Sequence, residues 1–403
     1  MTEVRSVGRV SPGGEKTAND EGHAPEGLFD PFTSTFLLAG PVRLHPRVQQ
    51  AMATPSLNHR GEYFHEIVAE IKELLPLVFG RPGHQVVLTG SGTCGLEAMV
   101  SNLARREDRV VVVNNGHFGD RLEKIVGRFA HAVPVRGPWG RPVDSEAVAA
   151  ALETPGVVAL AAVYNETSVG FTNPVAPLAE RARRRGVPLW LDAISALPGL
   201  PPPPDEWGVE AMVVGSQKGL AAPPGLALVH LSTKARERLV PQTFSTDLVE
   251  HLKSLEKNDT PFTPAVPLFL ALREALLLLK EEGPDRRRRR THDVAKATRA
   301  AVRAMGLELY PPVEHASDTV TAIRYPAGVD DASFRGALRT RHNVIVSGGQ
   351  GQARGQIFRL GHMGIASFMD LLVGVAAVER ELYRAGRIPE LGAGVREFLT
   401  HVP

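Results

Sequence analysis

The chain has 403 residues, of which 43% are hydrophobic and 22% are charged, so its composition is typical of globular proteins and excludes disordered and fibrous classes. Its 46 basic and 44 acidic residues leave a formal charge of +2, which excludes a general attraction to nucleic acid or to an anionic membrane. The single cysteine, Cys94, excludes an intrachain disulfide framework and most thiolate metal sites, and favours the reducing cytoplasm.

Residues 1–30 are rich in glycine, serine, proline and acidic residues and have no hydrophobic period, so we expect a flexible tail. The N-terminus lacks the apolar core of a signal peptide. No later apolar run reaches the roughly 18 residues that a membrane span needs. We therefore expect a soluble protein with no membrane partner.

Strands and helices alternate from residue 31 to residue 280. Predicted helices cover residues 65–79, 93–105, 120–129, 175–185 and 268–280, and predicted strands cover residues 85–89, 109–114, 157–164, 188–192, 211–215 and 226–231. Short apolar strands such as residues 110–113 are typical of strands that are buried on both faces. The pattern predicts a large α/β domain over residues 31–280, with a mainly parallel sheet covered by helices.

Residues 281–403 predict a smaller α+β domain at the C-terminus. Its predicted helices cover residues 291–305, 331–340 and 365–380, and its predicted strands cover residues 319–325, 344–346 and 356–360. Five consecutive arginines, residues 286–290, precede apolar residues spaced three or four apart. This spacing favours the exposed first turns of an amphipathic helix over a nucleic-acid patch, which would carry interleaved aromatic residues.

A glycine- and hydroxyl-rich turn at residues 90–95 lies between a predicted strand and a predicted helix. The N-terminus of a helix presents unpaired N–H groups and the positive end of the helix dipole, which together suit a phosphate group. The turn is neither a Walker sequence nor a dinucleotide fingerprint. Taken alone, it fits an ordinary strand-to-helix turn equally well.

Two charged residues follow neighbouring strands of the same predicted sheet. Asp192 ends the strand at residues 188–192, and Lys218 comes shortly after the strand at residues 211–215. In a wound parallel sheet both side chains emerge at the carboxyl edge, where the phosphate turn also lies. A phosphate site, a carboxylate and a lysine amine are the groups that pyridoxal 5'-phosphate (PLP) requires. The set predicts a PLP site.

Several motifs occur in the order found in one known family. They are Gly90-Ser91-Gly92-Thr93, Asn165-Glu166-Thr167-Ser168-Val169-Gly170, Leu191-Asp192-Ala193-Ile194-Ser195, Gly215-Ser216-Gln217-Lys218-Gly219-Leu220 and Phe358-Arg359-Leu360-Gly361-His362-Met363-Gly364. With these motifs the chain resembles the fold-type I, class V aminotransferases, and within them the alanine–glyoxylate and serine–pyruvate group. The resemblance implies a seven-stranded type of sheet in the PLP-binding domain.

The resemblance also implies a role for each candidate residue. Lys218 would bind the cofactor as a Schiff base and then move the substrate proton, and Asp192 would keep the pyridine nitrogen protonated. The remaining cofactor-binding residues would be Phe118 on the ring face, Ser91, Gly92, Thr93 and Gln217 at the phosphate, Thr167 at the phenolic side, and Thr263 from a neighbouring subunit. Arg359 would bind the substrate carboxylate, for which a guanidinium group is well suited. No metal ligand is expected. His59 and Arg60 match a family segment that forms either the substrate entrance or a subunit contact.

The resemblance implies a homodimer with shared active sites that transfers an amino group from a serine- or alanine-like amino acid to a glyoxylate- or pyruvate-like 2-oxo acid. The alternative is a PLP-dependent lyase or carbon–carbon bond-forming enzyme, because departures such as Val169 lie near the expected pocket and leave the substrates open. A cysteine desulfurase is disfavoured, since Cys94 lies in the phosphate turn rather than on a mobile loop. A non-catalytic protein is disfavoured because Lys218, Asp192 and Arg359 are all present.

Overall fold

The computed structural model describes residues 29–401, so most of the predicted tail lies outside the described residues. The strands are β1 (Thr35–Leu37), β2 (His84–Thr89), β3 (Arg109–Asn114), β4 (His131–Arg136), β5 (Val157–Val163), β6 (Asn165–Glu166), β7 (Phe171–Thr172), β8 (Leu189–Asp192), β9 (Val209–Gly215), β10 (Leu226–Leu231), β11 (Val320–Arg324), β12 (Val344–Gly348) and β13 (Ile357–Gly361). The helices are α1 (Pro46–Met52), α2 (Glu62–Phe79), α3 (Gly92–Leu103), α4 (His117–Phe129), α5 (Ser145–Leu152), α6 (Val175–Arg184), α7 (Thr233–Glu237), α8 (Leu248–Glu256), α9 (Val266–Glu282), α10 (Pro284–Ala304), α11 (Asp331–His342), α12 (Phe368–Arg384) and α13 (Ala393–Thr400).

The larger sheet has seven strands in the order β2-β10-β9-β8-β5-β3-β4. Strand β10 is antiparallel to both of its neighbours, and the other neighbouring pairs are parallel. Along β3, alternate valines enter two different hydrophobic clusters, Val111 and Val113 on one face and Val110 and Val112 on the other. Both faces of the sheet are therefore covered, which confirms the predicted α/β fold class with its mainly parallel sheet.

The smaller sheet has four strands in the order β1-β12-β13-β11. Strand β1 pairs in parallel with β12, although the two strands come from opposite ends of the chain, and the other pairs are antiparallel. Its core joins residues of β1, β12 and β13 to residues of α10 and α12, among them Leu37, Val294, Phe358 and Val375. The C-terminal α+β arrangement thus includes one strand from the N-terminal part of the chain. The domain boundary near residue 280 stays a prediction.

The predicted elements agree with the observed ones to within a few residues, with one larger difference at the arginine run. Helix α10 begins at Pro284 rather than at residue 291, because proline fits the first turn of a helix and Gly283 precedes it. The run therefore lies inside a helix, as expected, but the prediction of a solvated face is wrong for Arg287, which is only 3% exposed. In the described part of the chain, no helix combines the length and apolar character needed to cross a membrane.

Candidate active site

The carboxyl ends of β8 and β9 and the N-terminus of α3 surround a cavity of about 120 Å³, which we call the strand-end cavity. Because β10 is antiparallel to both β2 and β9, the carboxyl ends of β2, β8 and β9 meet at one edge of the sheet. The lining residues are Ser91, Gly92, Thr93, Phe118, Arg121, Val163, Asn165, Thr167, Asp192, Ile194, Ser195, Gln217 and Lys218. Every predicted site residue except Thr263 and Arg359 is therefore brought to this cavity.

Lys218 lies in the turn that follows β9, and its amine reaches toward the chain between β1 and α1. Its Nζ donates a hydrogen bond to the carbonyl oxygen of Ala39 at 2.6 Å. The adjacent Gly40 has φ of 97°, and a Cβ there would overlap the Lys218 side chain. Burial, together with the charges of Arg359 and Arg121, lowers the pKa of Lys218 to about 8. An appreciable fraction of the amine is therefore neutral and nucleophilic near neutral pH.

Asp192 is the last residue of β8 and is almost fully buried. One carboxylate oxygen accepts a hydrogen bond from the Ile194 N–H at 3.0 Å, and the other lies 3.5 Å from Nη2 of Arg121. Burial raises the pKa of Asp192, while Arg121 and the Ile194 N–H oppose this rise. The carboxylate can therefore hold a proton donor that points into the cavity.

The start of α3 has the properties of an anion site. Ser91 is the N-cap residue, its side chain makes no capping hydrogen bond, and the first N–H groups of a helix lack acceptors within the helix. A Cβ at Gly92 would lie 2.7 Å from Cδ1 of Ile194, so a larger residue there would require the Ile194 side chain to move. Oε1 of Gln217 is buried without a hydrogen-bond partner among residues 29–401. A flip of this amide would present its NH₂ group to the same space, and these donors together fit a phosphate.

The wall of the cavity at the start of α4 is formed by Phe118 and Arg121. The Arg121 guanidinium carbon lies 4.6 Å from the centroid of the Phe118 ring, within the range of a cation–π contact. Nε of Arg121 is buried and has no partner among the described residues. An aromatic face and a second unpaired polar atom thus border the cavity beside Asp192, as a flat, polar cofactor would require.

Glu166 connects the two walls of the cavity, and sequence reasoning assigned it no role. One of its oxygens accepts hydrogen bonds from the N–H groups of Phe118 and Gly119, both at 3.0 Å. The other accepts from the N–H group of Ser168 at 3.2 Å and from the Ser168 hydroxyl. Burial raises the pKa of Glu166 to about 7 although these hydrogen bonds oppose the rise. Glu166 therefore fixes Phe118 relative to the turn that carries Thr167.

Arg359 lies on β13 and contacts the same turn from the smaller sheet. It donates from Nη1 to the carbonyl oxygen of Thr167 at 2.7 Å, and from Nε and Nη2 to the carbonyl oxygen of Gly348 at 3.0 and 2.7 Å. Burial lowers the pKa of Arg359 to about 10, so the group stays charged at neutral pH. Two of its five N–H groups have no acceptor among the described residues. They remain available for a carboxylate.

Other residues that the sequence singles out, among them Thr263, Cys94 and Arg60, lie outside the strand-end cavity. Thr263 is exposed and lines a separate cavity of about 220 Å³ together with Cys94. Cys94 is half-buried, and burial raises the pKa of its thiol, which disfavours the reactive thiolate. Arg60 forms an ion pair with Asp259, with 2.7 Å between Nη1 and Oδ1.

Sequence reasoning assigned no role to five residues that line the strand-end cavity, of which three are polar, namely Arg121, Asn165 and Ser195. The Asn165 amide donates to the hydroxyl groups of Ser195 at 3.0 Å and Thr319 at 2.9 Å, which closes the floor of the cavity. A usable signal existed for Asn165 and Ser195, because both follow the ends of neighbouring strands. For Arg121 the signal was its position three residues after Phe118, on the same face of the helix.

Comparisons with known proteins agree with this geometry. A sequence model described as aminotransferase class-V matches residues 47–369. The chain is 37% identical to an uncharacterized aminotransferase of Methanocaldococcus jannaschii over 92% of this chain and 96% of that protein. It is 32% identical to a serine–glyoxylate aminotransferase of Methylorubrum extorquens, over 91% of this chain and 95% of that protein. Among solved structures, pyridoxamine–pyruvate aminotransferase of Mesorhizobium loti superimposes with a TM-score of 0.86 and 28% identity, covering 94% of this chain and 97% of that one.

The fold is that of the PLP-dependent, fold-type I aminotransferases, as the structural match confirms. The family model covers well over half of the chain, and the two relatives named above match it along most of its length. The chain therefore belongs to the class V aminotransferase family.

Proposed function

We propose that this protein is a PLP-dependent aminotransferase that takes the amino group of a small, serine- or alanine-like amino acid and gives it to a small 2-oxo acid such as glyoxylate or pyruvate. One observation carries the proposal: a lysine with a lowered pKa, a buried carboxylate and an anion-binding helix end all line one cavity. The names of two similar proteins, a serine–glyoxylate and a pyridoxamine–pyruvate aminotransferase, support this substrate range.

The roles of the cofactor-binding groups follow from the family resemblance, and their common position around the strand-end cavity supports them. The donors at Ser91, Gly92, Thr93 and Gln217 would hold the phosphate, Asp192 the pyridine nitrogen, Phe118 the ring face and Thr167 the phenolic side. Thr263, which is exposed in the single chain, would reach the phosphate of a partner subunit in a homodimer. We place this homodimer in the cytoplasm, in keeping with a chain that has one cysteine.

When bound, PLP serves as an electron sink that stabilises negative charge at the substrate α carbon. Lys218 would anchor it covalently, and after the substrate amine takes its place the freed Nζ would accept the α proton. The pKa of about 8 allows the amine to act in its neutral form near neutral pH. Arg359 would bind the substrate carboxylate with its two remaining N–H groups and so orient the α carbon.

The test combines cofactor attachment with an amino-donor screen. After incubation with PLP and reduction with borohydride, the cofactor mass should be found on the peptide that contains Lys218. Without an acceptor, serine or alanine should convert the bound cofactor to pyridoxamine phosphate. Lys218→Ala should lose both results, whereas the matched variant of an exposed lysine, Lys124→Ala, should keep them.

Two outcomes would contradict the proposal. If the wild-type protein retains no PLP, the proposed cofactor is wrong, and the proposed reaction and residue roles are wrong with it. A wild-type protein that retains PLP on Lys218 but forms no pyridoxamine phosphate with any common amino acid would exclude transamination.

A further inference from the structure

The five arginines at the start of α10 differ in their surroundings. Arg286 and Arg289 are exposed, Arg288 and Arg290 are half-buried, and Arg287 is buried. Arg288 pairs with Asp285 in the same helix, whereas Arg287 and Arg290 contact Glu282, next to Gly283, where α9 ends and α10 begins. A run of like charges that sequence analysis interprets as a solvated face therefore contains two side chains that enter the protein.

Glu282, the last residue of α9, holds both of these arginines. It accepts a hydrogen bond from Nε of Arg287, and its Oε1 accepts another from Nε of Arg290 at 2.8 Å. Burial by itself would raise the pKa of Glu282, but the contacts with Arg290 and Arg287 outweigh burial and lower this pKa. The carboxylate is therefore charged at neutral pH. We call Glu282, Arg287 and Arg290 the hinge network.

The hinge network extends to the turn that carries Lys218. Nη1 of Arg287 donates a hydrogen bond to the carbonyl oxygen of Gly219 at 3.0 Å, one residue beyond Lys218. Gly219 has little room to shift, since a Cβ there would lie 2.9 Å from the carbonyl oxygen of Leu197. A buried, charged guanidinium thus fixes the main chain of the lysine turn from the side of α10.

The other arm of the network reaches the turn after β13, the strand that carries Arg359. Arg290 donates from Nη2 to the carbonyl oxygen of Gly364 at 2.9 Å and from Nη1 to that of Ala366 at 2.6 Å. Gly364 packs directly on the lysine turn, because a Cβ there would lie 3.5 Å from the carbonyl oxygen of Lys218. One carboxylate therefore ties together the main-chain turns next to Lys218 and next to Arg359.

We propose that the hinge network is a positioning device that sets Lys218 relative to Arg359, and so the cofactor-bearing amine relative to the bound substrate carboxylate. This inference rests on the proposed function and goes beyond it. None of the three residues lines the strand-end cavity among the described residues, so they act through the lysine turn and the turn after β13. Misplacement of a reacting group by about 1 Å can reduce a rate roughly 100-fold.

The test uses the arginine run itself as its control. Arg287→Met, Arg290→Met and Glu282→Gln break the network, whereas Arg286→Met and Arg289→Met remove the same charge from exposed positions in the same helix. In protein without cofactor, hydrogen exchange in the peptides that cover residues 217–222 and 364–366 should increase for the network variants and stay at the wild-type level for the controls.

Two further readouts separate positioning from stability. With PLP bound, the pH midpoint of the visible absorbance should shift in Arg287→Met and Glu282→Gln, because this absorbance reports on Lys218. In the half-reaction with an amino acid, Arg287→Met should lower kcat about tenfold with KM nearly unchanged, while Arg290→Met should mainly raise KM, since it supports the strand of Arg359. If Arg287→Met fails to fold, Glu282→Gln serves the same purpose, because it keeps the size of the side chain and removes only the charge.

The proposal is wrong if the network variants melt at lower temperature but keep wild-type hydrogen exchange, absorbance midpoint and kinetics. It is also wrong if Arg286→Met causes the same changes, because the effect then comes from net charge. A wild-type protein that binds no PLP would overturn the proposed function instead. The exchange experiment would still decide whether the hinge network positions the lysine turn.

Discussion

The strand-end cavity and the hinge network both bury charged groups, but they satisfy them to different degrees. In the hinge network, Glu282 accepts hydrogen bonds from two arginines, and each arginine also donates to main-chain carbonyl groups. In the cavity, Gln217 and Arg121 each keep a buried polar atom without a partner among residues 29–401. A satisfied buried network stabilises one arrangement of the chain, whereas unsatisfied polar atoms around a cavity indicate a place where a ligand completes the hydrogen bonds.

The pKa values of Glu282, Lys218 and Asp192 follow the same division, although burial also lowers the pKa of Arg287. Glu282 has its pKa lowered by its two arginines, so its charge is stabilised where it lies. Lys218 and Asp192 both have pKa values shifted toward their neutral forms: burial and the nearby arginines lower that of Lys218, and burial raises that of Asp192 against the opposing charge of Arg121. The cavity therefore stores electrostatic free energy that a charged, polar cofactor can release on binding. Four predictions test this difference.

The largest effect is expected from Asp192→Ala. This change removes the carboxylate proposed to hold the pyridine nitrogen and leaves Arg121 without its acidic neighbour. We expect the single-turnover rate with an amino donor to fall about 1000-fold, which corresponds to roughly 4 kcal/mol of transition-state stabilisation. The matched variant Asp293→Ala, at an exposed position outside the cavity, should keep the rate within about threefold. A loss of less than tenfold for Asp192→Ala would contradict the assignment.

The next effect concerns stability and uses protein without cofactor. The pKa of Lys218 is lowered to about 8, so the unfolded chain binds more protons than the folded chain between pH 8 and the ordinary lysine value of 10.5. The free energy of unfolding should therefore rise with pH in this window. Below pH 8, Lys218→Met should be more stable than wild type by about 3 kcal/mol, and the gap should close toward pH 10.5. Denaturant unfolding of both proteins at several pH values measures this difference in the free energy of unfolding. A gap that is constant with pH would contradict the lowered pKa.

A smaller effect is expected from Arg359→Lys, which keeps the charge and removes the planar set of donors. The guanidinium donates to the carbonyl groups of Thr167 and Gly348 and still has two N–H groups free for the substrate carboxylate. The three N–H groups of an ammonium cannot make all of these contacts at once. We expect KM for the amino acid to rise about 30-fold, or roughly 2 kcal/mol, with a smaller change in kcat. The exposed Arg354→Lys serves as the control. An unchanged KM would show that Arg359 is structural.

The sequence predicts the cavity well where topology alone decides which residues meet. Asp192 ends a strand, and Lys218 and the phosphate turn lie just past the ends of two others, so the direction of the strands brings them together whatever the details of packing. The pairing of β1 with β12 was missed, because so short a strand has no measurable period and its partner lies near the other end of the chain.

Residues that depend on side-chain packing were harder to predict. Arg287 was expected in solvent, because a charge run gives no sign that one member is buried against the lysine turn. Glu166 has two backbone donors from α4, and these are set by how α4 lies against the turn at residues 165–170. Neither relation is contained in local periodicity. Such buried, charged residues become visible only when the three-dimensional contacts are known.

The smallest effect is expected from Arg121→Gln, and it distinguishes electrostatic tuning from binding. The charge of Arg121 lowers the pKa of Lys218, so its removal should raise that pKa, by about half a unit for one partly exposed charge. A higher pKa leaves less neutral amine at pH 7, so covalent attachment of PLP to Lys218 should slow about threefold there and recover to the wild-type rate by about pH 10. The rate of attachment, followed by absorbance from pH 6 to pH 10, measures both the slower reaction at pH 7 and the recovery at high pH. If attachment is slower by the same factor at every pH, Arg121 acts by contact with the cofactor rather than through the lysine. A shift of the profile toward lower pH would contradict the sign of the interaction.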